Sequence, residues 1–589
     1  VLPPAPPLLP QREAIARVSI PRSRSLALIA ITAWIANYLH FTRFGLYEDD
    51  WFFSGAAYLH TLPGWLELCW SYIVHPGRAQ GRPLQFAANM LFPLAGRFTS
   101  SFAADYLIAF AMLAGSAAMM YLVLRRRFSN FTATFAALLF VTTPLHTLRQ
   151  FLNGQFSFGP AFLIVFGAML LYLSGRRWVA YAVAPLALLS YESMFFLYLG
   201  TPLLQKGRAI HGRRKEWLIH GAFCGVVVLA YFAARKLLFN ELRVNELQGP
   251  LQLVGPVLRD WAFYAWGSFA TYYYALLRAA RQATAEAWLW FLPVLAAAAF
   301  LAWRERRRLT PRGRLALWLA AMKPVWVGLA FLVLGYVVSY FYFIFLAGRY
   351  PYTGRVTRVS VAGSFGSSLI FAGLLDALTR CLRRTRFIPL AASAVLFGIC
   401  FLSSFAIQLD YVNEWEIQRR DMEQIIAATP DVQPDSLIVL RLPFRAPGLP
   451  EQPGIGDDRN AFDRIVPSVF IGTESTLPRL FIVMTDDWRN YLKATGDGRM
   501  AWLDTAIPGR WYPSVGPYRA GRFITLEQSA AGKMVRSIAP VLVDGVDIIQ
   551  RPPAGGTPSP LWRQLRRTPL GRKLIPAFDW DSRHGQVAQ

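Results

Sequence analysis

Charge is scarce in this chain. Charged residues make up 16% of its 589 positions, against about 25% in soluble domains, and that excludes an ordinary soluble enzyme. Cysteine is nearly absent too: Cys69, Cys224, Cys381 and Cys400 are scattered, without the paired spacing of a disulfide framework, a zinc site or a CxxC redox site. No internal repeat, heptad or low-complexity tract occurs beyond the proline-rich first ten residues. What the chain has instead is apolar surface, with 54% hydrophobic and 15% aromatic residues. Apolar runs of roughly 18 or more residues, long enough to span a bilayer, recur from about Ser25 to Phe405 and are missing from 406–589. The formal charge of +26 comes from arginines set in short clusters between those runs, not on one soluble face. They are read as topology signals, and no nucleic-acid partner is expected.

Lys and Arg near helix ends are retained on the cytoplasmic side, so the clusters orient the spans. Residues 1–24 form a cytoplasmic segment with Arg12, Arg17, Arg22 and Arg24, and with no small-residue cleavage site after the first run, Ser25 to Phe44, which is read as a retained, outward span. A long outer loop, 45–101, follows; Phe102 to Leu124 returns to Arg125, Arg126 and Arg127. Phe131 to Leu148 runs outward, and Phe156 to Ser174 comes back to Arg176 and Arg177. The stretch Trp178 to Leu204 is broken at Ser190-Tyr191-Glu192-Ser193 and ends at Lys206, Arg208, Arg213, Arg214 and Lys215. A hairpin of two short halves keeps that cluster inside, and broken helices are tolerated where they line a cavity. Trp217 to Leu238 leads outward, Leu258 to Leu277 is aromatic and amphipathic and is placed at the interface or dipping in, and Ala287 to Trp303 returns inward. Three more spans are expected at Val325 to Leu346, Val359 to Leu378 and Phe387 to Phe405. The fold class is therefore mainly α, a polytopic bundle of about eleven spans over 25–405. It carries a small extramembrane α/β domain, 406–589, with a helix-like stretch at Asn413 to Ala428 and short β-like runs at Ser436 to Leu442, Leu480 to Thr485, Phe523 to Leu526 and Ala539 to Gln550.

Four places carry ionisable groups in costly settings. Glu48, Asp49 and Asp50 follow the first span, where three carboxylates beside Trp51, Phe52 and Phe53 repel one another and lose hydration; that suits a general base or, with a compensating cation, a metal site. The same loop holds His75-Pro76-Gly77-Arg78 and Gly81-Arg82-Pro83, where Arg82 offers a planar donor fork to a phosphate or anchors a lipid headgroup. His75 is a candidate for an auxiliary role beside the acceptor, or a satisfied interfacial histidine. Glu192, next to Tyr191 in the broken stretch, is expected to face a cavity or a partner: an acceptor, a metal shared with the Asp pair, or a structural salt bridge such as one to Arg149. Finally Arg349, Arg355 and Arg358 stand on the outer face, against the positive-inside trend. A lipid-linked phosphate explains them, as does contact with anionic headgroups.

In this order, the acidic motif Glu48-Asp49-Asp50 in a long first outer loop, Gly81-Arg82-Pro83, Ser190-Tyr191-Glu192 at a broken span, and the Arg349 to Arg358 segment before a late span, the chain resembles the GT-C superfamily of integral-membrane glycosyltransferases over about Ser25 to Phe405. The resemblance implies an inverting transfer from a polyprenyl-phosphate-linked sugar to a glycan, lipid or protein acceptor. Asp49, with Asp50 next, would be the base, and Arg82, Arg349, Arg355 and Arg358 would hold the donor phosphate. Glu192 would match an acidic residue that some members place at the break. Glu48, His75 and Tyr191 would assist at the acceptor. Some members bind a divalent cation, Mg or Mn, at such carboxylates, and here Asp49, Asp50 and Glu192 would be the ligands. The preference for Arg over Lys fits a bacterium, which would put the active site and the C-terminal domain in the periplasm and make undecaprenyl phosphate the carrier. A transporter or lipid flippase, and a ligase or polymerase of lipid-linked glycans, are the competing classes.

Overall fold

The computed structural model describes residues 22–47, 50–59, 61–74, 81–205, 214–239, 250–306, 314–336, 355–381 and 387–433, with the shorter stretches 436–441, 480–484, 492–495, 499–502, 515–519, 523–529, 533–538, 541–543, 546–548, 560–567 and 571–574. Among the described residues, five helices are long and apolar enough to cross a membrane, Ser23–Arg43, Phe102–Arg125, Leu152–Leu173, Arg214–Leu237 and Ile388–Ala428, and four shorter apolar helices accompany them. The protein is an integral membrane protein with a mainly helical, polytopic bundle.

The helices used below are α1 (Arg22–Tyr38), α2 (Leu62–Val74), α3 (Pro83–Leu91), α4 (Leu94–Thr99), α5 (Phe102–Arg125), α6 (Asn130–Thr142), α7 (Leu152–Leu173), α8 (Arg177–Val183), α9 (Leu186–Ser190), α10 (Glu192–Leu199), α11 (Arg214–Phe239), α12 (Pro250–Gln282), α13 (Ala285–Arg306), α14 (Arg314–Gly335), α15 (Gly363–Cys381) and α16 (Phe387–Ala428). Helix starts follow local chemistry: Ser101 accepts from Ala103 N at 3.2 Å to open α5, and Ser129 accepts from Thr132 N at 3.1 Å to open α6. Helices α1, α5, α6, α7, α15 and α16 share one apolar core. Where α14 meets α15, glycines let the backbones touch: a Cβ on Gly366 would sit 2.2 Å from Leu332 N, and one on Gly335 would sit 2.6 Å from Gly363 N.

The expected hairpin at Trp178 to Leu204 is present. Tyr191 lies 4.7 Å from Phe158, near the start of α7, whereas the Tyr198 ring lies 6.3 Å from Tyr172 at the end of α7 and 6.4 Å from Tyr181 in α8. The chain therefore climbs through α8 and α9, turns at Tyr191 and descends in α10, so that Gln205 O accepts from Arg127 at 2.6 Å, beside the basic turn after α5. Helix α12 runs along the opposite end, here termed the loop end, where Tyr264 stacks on Tyr336 at 5.8 Å and Tyr272 reaches Thr143 at 3.4 Å.

Three boundaries differ from expectation. The span expected at Phe131 to Leu148 is helical only from Asn130 to Thr142, and the chain then runs as a buried loop from 143 to 151. The span expected at Val325 to Leu346 is a helix that starts at Arg314 and stops at Gly335, carrying Lys323 and Pro324 within it; residues 337–354 lie outside the described set. The last span and the helix-like stretch after it are one helix, α16, 42 residues or about 63 Å long. No Gly or Pro interrupts 406–428, so the change of solvent from lipid to water alters the composition without breaking the helix.

At the far end of α16 sit β1 (Ser436–Arg441), β2 (Leu480–Met484), β3 (Leu492–Thr495), β4 (Arg499–Trp502), β5 (Val515–Arg519), β6 (Phe523–Gln528), β7 (Met534–Arg536), β8 (Val541–Val543) and β9 (Val546–Ile548). Their order β2-β1-β6-β7 makes one sheet, β1 parallel to both β2 and β6, with Leu437 opposite Phe481 and Phe523. Three of the expected β-like runs are the strands β1, β2 and β6, and the fourth, Ala539 to Gln550, is the antiparallel pair β8–β9; β3, β4, β5 and β7 were not expected. Gln424 accepts from Met534 N at 2.9 Å, Arg536 pairs with Asp431 at 2.7 Å and Trp562 donates to Thr429 O at 2.9 Å, which ties this α/β part to α16.

Candidate functional site

The first outer loop is not an open loop but a set of short helices laid against the start of α7. Gly81-Arg82-Pro83 makes this possible through backbone geometry. Gly81 adopts φ +72°, a left-handed conformation that suits glycine, Arg82 occupies the N-cap, and Pro83 fills the first helical position of α3, where a missing N–H costs nothing. Helix α3 is then fastened to α7 through Ser157 Oγ, which accepts from Gln85 Nε2 at 2.9 Å and Asn89 Nδ2 at 3.1 Å, while Phe92 meets Phe156 at 5.3 Å.

Arg82 points into the bundle, where its guanidinium pairs with the Glu192 carboxylate at the tip of the hairpin and lies 4.9 Å over the Tyr191 ring. Arg235, in the last turns of α11, approaches the same Glu192 oxygen at 3.5 Å. All three side chains are buried, at 8%, 5% and 5% exposure for Arg82, Glu192 and Arg235. Tyr231, one turn before Arg235, donates to Gly81 O at 3.1 Å and accepts from Arg235 at 3.4 Å. A Cβ on Gly81 would fall 2.8 Å from Arg235 Cγ, so the glycine also leaves room for this arginine. Oε2 of Glu192 has no hydrogen-bond partner among the described residues.

Glu192 thus makes a salt bridge, but not with Arg149. Arg149 is buried in the 143–151 loop and is held by Ser404 at 3.1 Å and by the carbonyls of Thr143 at 2.8 Å and Phe140 at 3.2 Å; burial pulls its guanidinium down to about 9. In the same loop, burial and then the nearby Arg149 charge hold His146 well below the ordinary histidine range, so it is neutral.

Asp50 has a different task from Glu192. Fully buried, it accepts from Asn153 N at 2.7 Å, Leu152 N at 3.1 Å and Tyr47 N at 3.3 Å. The carboxylate therefore caps α7 from a distant part of the chain and complements the positive end of its dipole. Its position at the loop end is fixed by these backbone donors. Thr357 Oγ1 lies 3.0 Å from Thr147 Oγ1, and this joins the 3₁₀ turn Arg355–Ser360, with Arg358 half-buried, to the 143–151 loop just before α7.

Of the residues singled out from sequence, Asp50, Arg82, Tyr191 and Glu192 converge on the first turns of α7 and the hairpin tip, and Arg358 belongs to a turn at the same end. Glu48, Asp49, His75 and Arg349 lie outside the described residues, as does the Arg355 side chain. Arg235 and Tyr231 were missed. Their signal was present: Arg235-Lys236 is a basic pair at what topology makes an outer helix end, the same anomaly that drew attention to Arg349. Among the described residues no three His, Cys, Asp or Glu side chains gather to hold a metal ion. Of the three carboxylates expected as ligands, Asp49 lies outside the described residues, Asp50 accepts from three backbone amides, and two guanidiniums meet Glu192, where a further cation would be repelled.

No protein-family model matches the sequence, and no curated protein matches it. Among solved structures the chain is similar to ArnT from Cupriavidus metallidurans bound to undecaprenyl phosphate, at 14% identity over 70% of this chain and 82% of that one, with a TM-score of 0.29. It is similar also to the apo state of ArnT, at 15% identity over 70% and 81%, with a TM-score of 0.26. Likeness at this level says nothing of activity, which has to be read from the site.

Proposed function

We propose that the chain is a membrane glycosyltransferase of GT-C type that moves a sugar from a polyprenyl-phosphate donor to a glycan, lipid or protein acceptor at the loop end of the bundle, the periplasmic end in a bacterial inner membrane. One observation carries the reading: the first-loop Asp50 meets the first amides of α7, and the first-loop Arg82 meets Glu192 at the tip of a broken span that packs on the first turns of the same helix. A carrier with a midplane site between two related halves would call for a different layout.

In this reading Asp50 is a positioning residue. Its oxygens accept from the backbone amides that start α7. Asp49 is the base. It takes the proton of the acceptor hydroxyl as that oxygen bonds to the anomeric carbon from the face opposite the leaving group, and the carbon–oxygen bond to phosphate breaks with its electron pair leaving on the phosphate. Arg349, Arg355 and Arg358 stabilise the charge that grows there. Arg82, already paired with Glu192, orients the loop and adds positive potential.

The test is sugar transfer by the purified chain in vesicles, from polyprenyl-phosphate sugars to an acceptor lipid extract. Asp49→Asn is expected to insert and fold normally and to lose ~100-fold or more in turnover, the scale of a lost general base. Transfer at the parent rate by Asp49→Asn would overturn the assignment of the base, and no transfer by the parent from any polyprenyl donor would overturn the function.

A further inference from the structure

Beyond the sheet the chain forms two short helices, α17 (Pro560–Arg567) and α18 (Gly571–Leu574). Leu561 and Trp562 of α17 are buried in the apolar core, and Trp562 donates to Thr429 O just past the end of α16 at 2.9 Å. From there the chain comes back. Lys573 Nζ lies 4.0 Å from the centre of the ring of Phe102, the first residue of α5, and Phe102 is 6.2 Å from Trp415 of α16. Residues 415–428 of a helix cover about 20 Å. The stretch 560–574 therefore runs antiparallel to α16, from the α/β part down to the loop end.

What Lys573 meets there is a junction of the first outer loop. Asp105, buried in the first turn of α5, accepts from Gly96 N at 2.7 Å and from the Tyr58 hydroxyl at 3.2 Å. The Tyr58 ring packs edge-on against Phe102 at 5.3 Å. Gly96 has to be glycine for this, since a Cβ would collide with both the Tyr58 hydroxyl and the Asp105 carboxyl. Two pieces of the loop, the turn of helix Ala56–Leu59 and α4, are thus joined to α5 at one carboxyl group. The same junction reaches the residues before the acidic motif, because Gly45 lies so close under the Trp415 ring that a Cβ there would also collide. Glu48, Asp49 and Asp50 are therefore bracketed in sequence by Gly45 and Tyr58, both seated at this place.

We propose that 560–574 is a strap by which the C-terminal α/β part holds the first outer loop in position, with Lys573 as its positioning residue. Its stem and ammonium cover Phe102, and burial, which disfavours the ammonium, is offset by the Asp105 carboxyl beside it. Arg563, Arg567 and Arg572 of the same stretch are exposed, whereas Lys573 is half-buried. The hold on the loop stands by itself; its consequence for sugar transfer rests on the proposed function.

The experiment is hydrogen–deuterium exchange on the full chain in detergent, comparing the parent with Lys573→Met and Lys573→Arg. Methionine keeps most of the stem and removes the charge. Lys573→Met is expected to speed exchange at 56–59 and 94–99 about five- to tenfold, the scale of a lost half-buried cation–π contact, while the strands β1 and β6 keep the parent rate. Lys573→Arg should restore the loop. Unchanged loop exchange in Lys573→Met would overturn the proposal, and so would equal acceleration in the loop and the strands, which is a general loss of stability. In an Asp105→Asn background Lys573→Met should add less than it does in the parent; full additivity would place the lysine's effect elsewhere and refute the contact. In the transfer assay Lys573→Met should lower kcat several-fold with the donor KM unchanged, and Lys573→Arg should recover it. A looser loop with an unchanged kcat would reject the positioning role. Absence of transfer by the parent would count against the proposed function alone, since the exchange rates judge the strap without it.

Discussion

Glu192→Gln is the most informative single substitution because it changes a charge without changing a shape. In the parent, one buried carboxylate oxygen serves two guanidiniums, Arg82 within hydrogen-bonding distance and Arg235 at 3.5 Å. With all three side chains more than nine-tenths buried, solvent screening is slight. Removing one partner of such a pair costs about 3–5 kcal/mol, because the remaining charge stays out of water. A glutamine oxygen still accepts a hydrogen bond and recovers ~1 kcal/mol. A net loss of about 2–4 kcal/mol is expected, and in a chain of this size, at about 0.8 °C per kcal/mol, Tm should fall by about 2–3 °C. The assay is thermal unfolding in detergent, followed as the fraction that still elutes as folded protein. Arg235→Gln should cost less, since the Arg82–Glu192 contact survives. The double variant should recover part of the Glu192→Gln loss, because one of the two stranded cations is gone. An unchanged Tm for Glu192→Gln, or a larger loss for Arg235→Gln than for Glu192→Gln, would show that the carboxylate is not the hub on which the loop and the hairpin are joined.

Gly81→Ala places a side chain at φ +72° and 2.8 Å from Arg235 Cγ, so it should cost ~1–2 kcal/mol in backbone strain alone and displace Arg235, read as a lower Tm and, on the proposed function, reduced transfer. Asp50→Ala leaves the amides of Leu152 and Asn153 without their acceptor; a loss of ~1–2 kcal/mol and faster proteolysis within the first loop are expected, and unchanged proteolysis would deny Asp50 its capping role. His146 is held neutral by burial, so the unfolded chain binds the extra proton: its contribution to stability is complete above the ordinary histidine value of 6.5 and is lost as the pH falls below it. His146→Gln should flatten Tm against pH between neutrality and mild acid, and an identical slope in parent and variant would exclude the residue as the cause. Burial pushes the Cys69 thiol up to about 11, so maleimide at neutral pH should modify it slowly in the folded protein and rapidly after denaturation in SDS.

The parts of this structure that were legible in the sequence are those in which membrane physics leaves few choices. A run of apolar residues must become a helix, and arginine clusters at alternate ends fixed the hairpin at Trp178 to Leu204, because only a turn at Glu192 keeps both flanking clusters on one side. The cost of an ionisable group in an apolar stretch likewise marked Glu192 as partnered. Which cation would meet it was not legible. Arg149 and Arg235 are equally far along the chain and Arg82 is much farther, yet Arg82 and Arg235 reach Glu192 because Gly81 turns α3 inward and α11 passes alongside, and both are consequences of packing. Asp50 shows the same limit from the other side. An acidic triplet beside a membrane surface signals chemistry, but which carboxylate is left for chemistry depends on which one the start of α7 consumes, and the amides of Leu152 and Asn153 are about a hundred residues away in sequence. That division of labour narrows the proposed mechanism. On the proposed function, a helix start that holds Asp50 shifts the role of base to Asp49, the first choice on the family resemblance and the carboxylate that directly precedes Asp50.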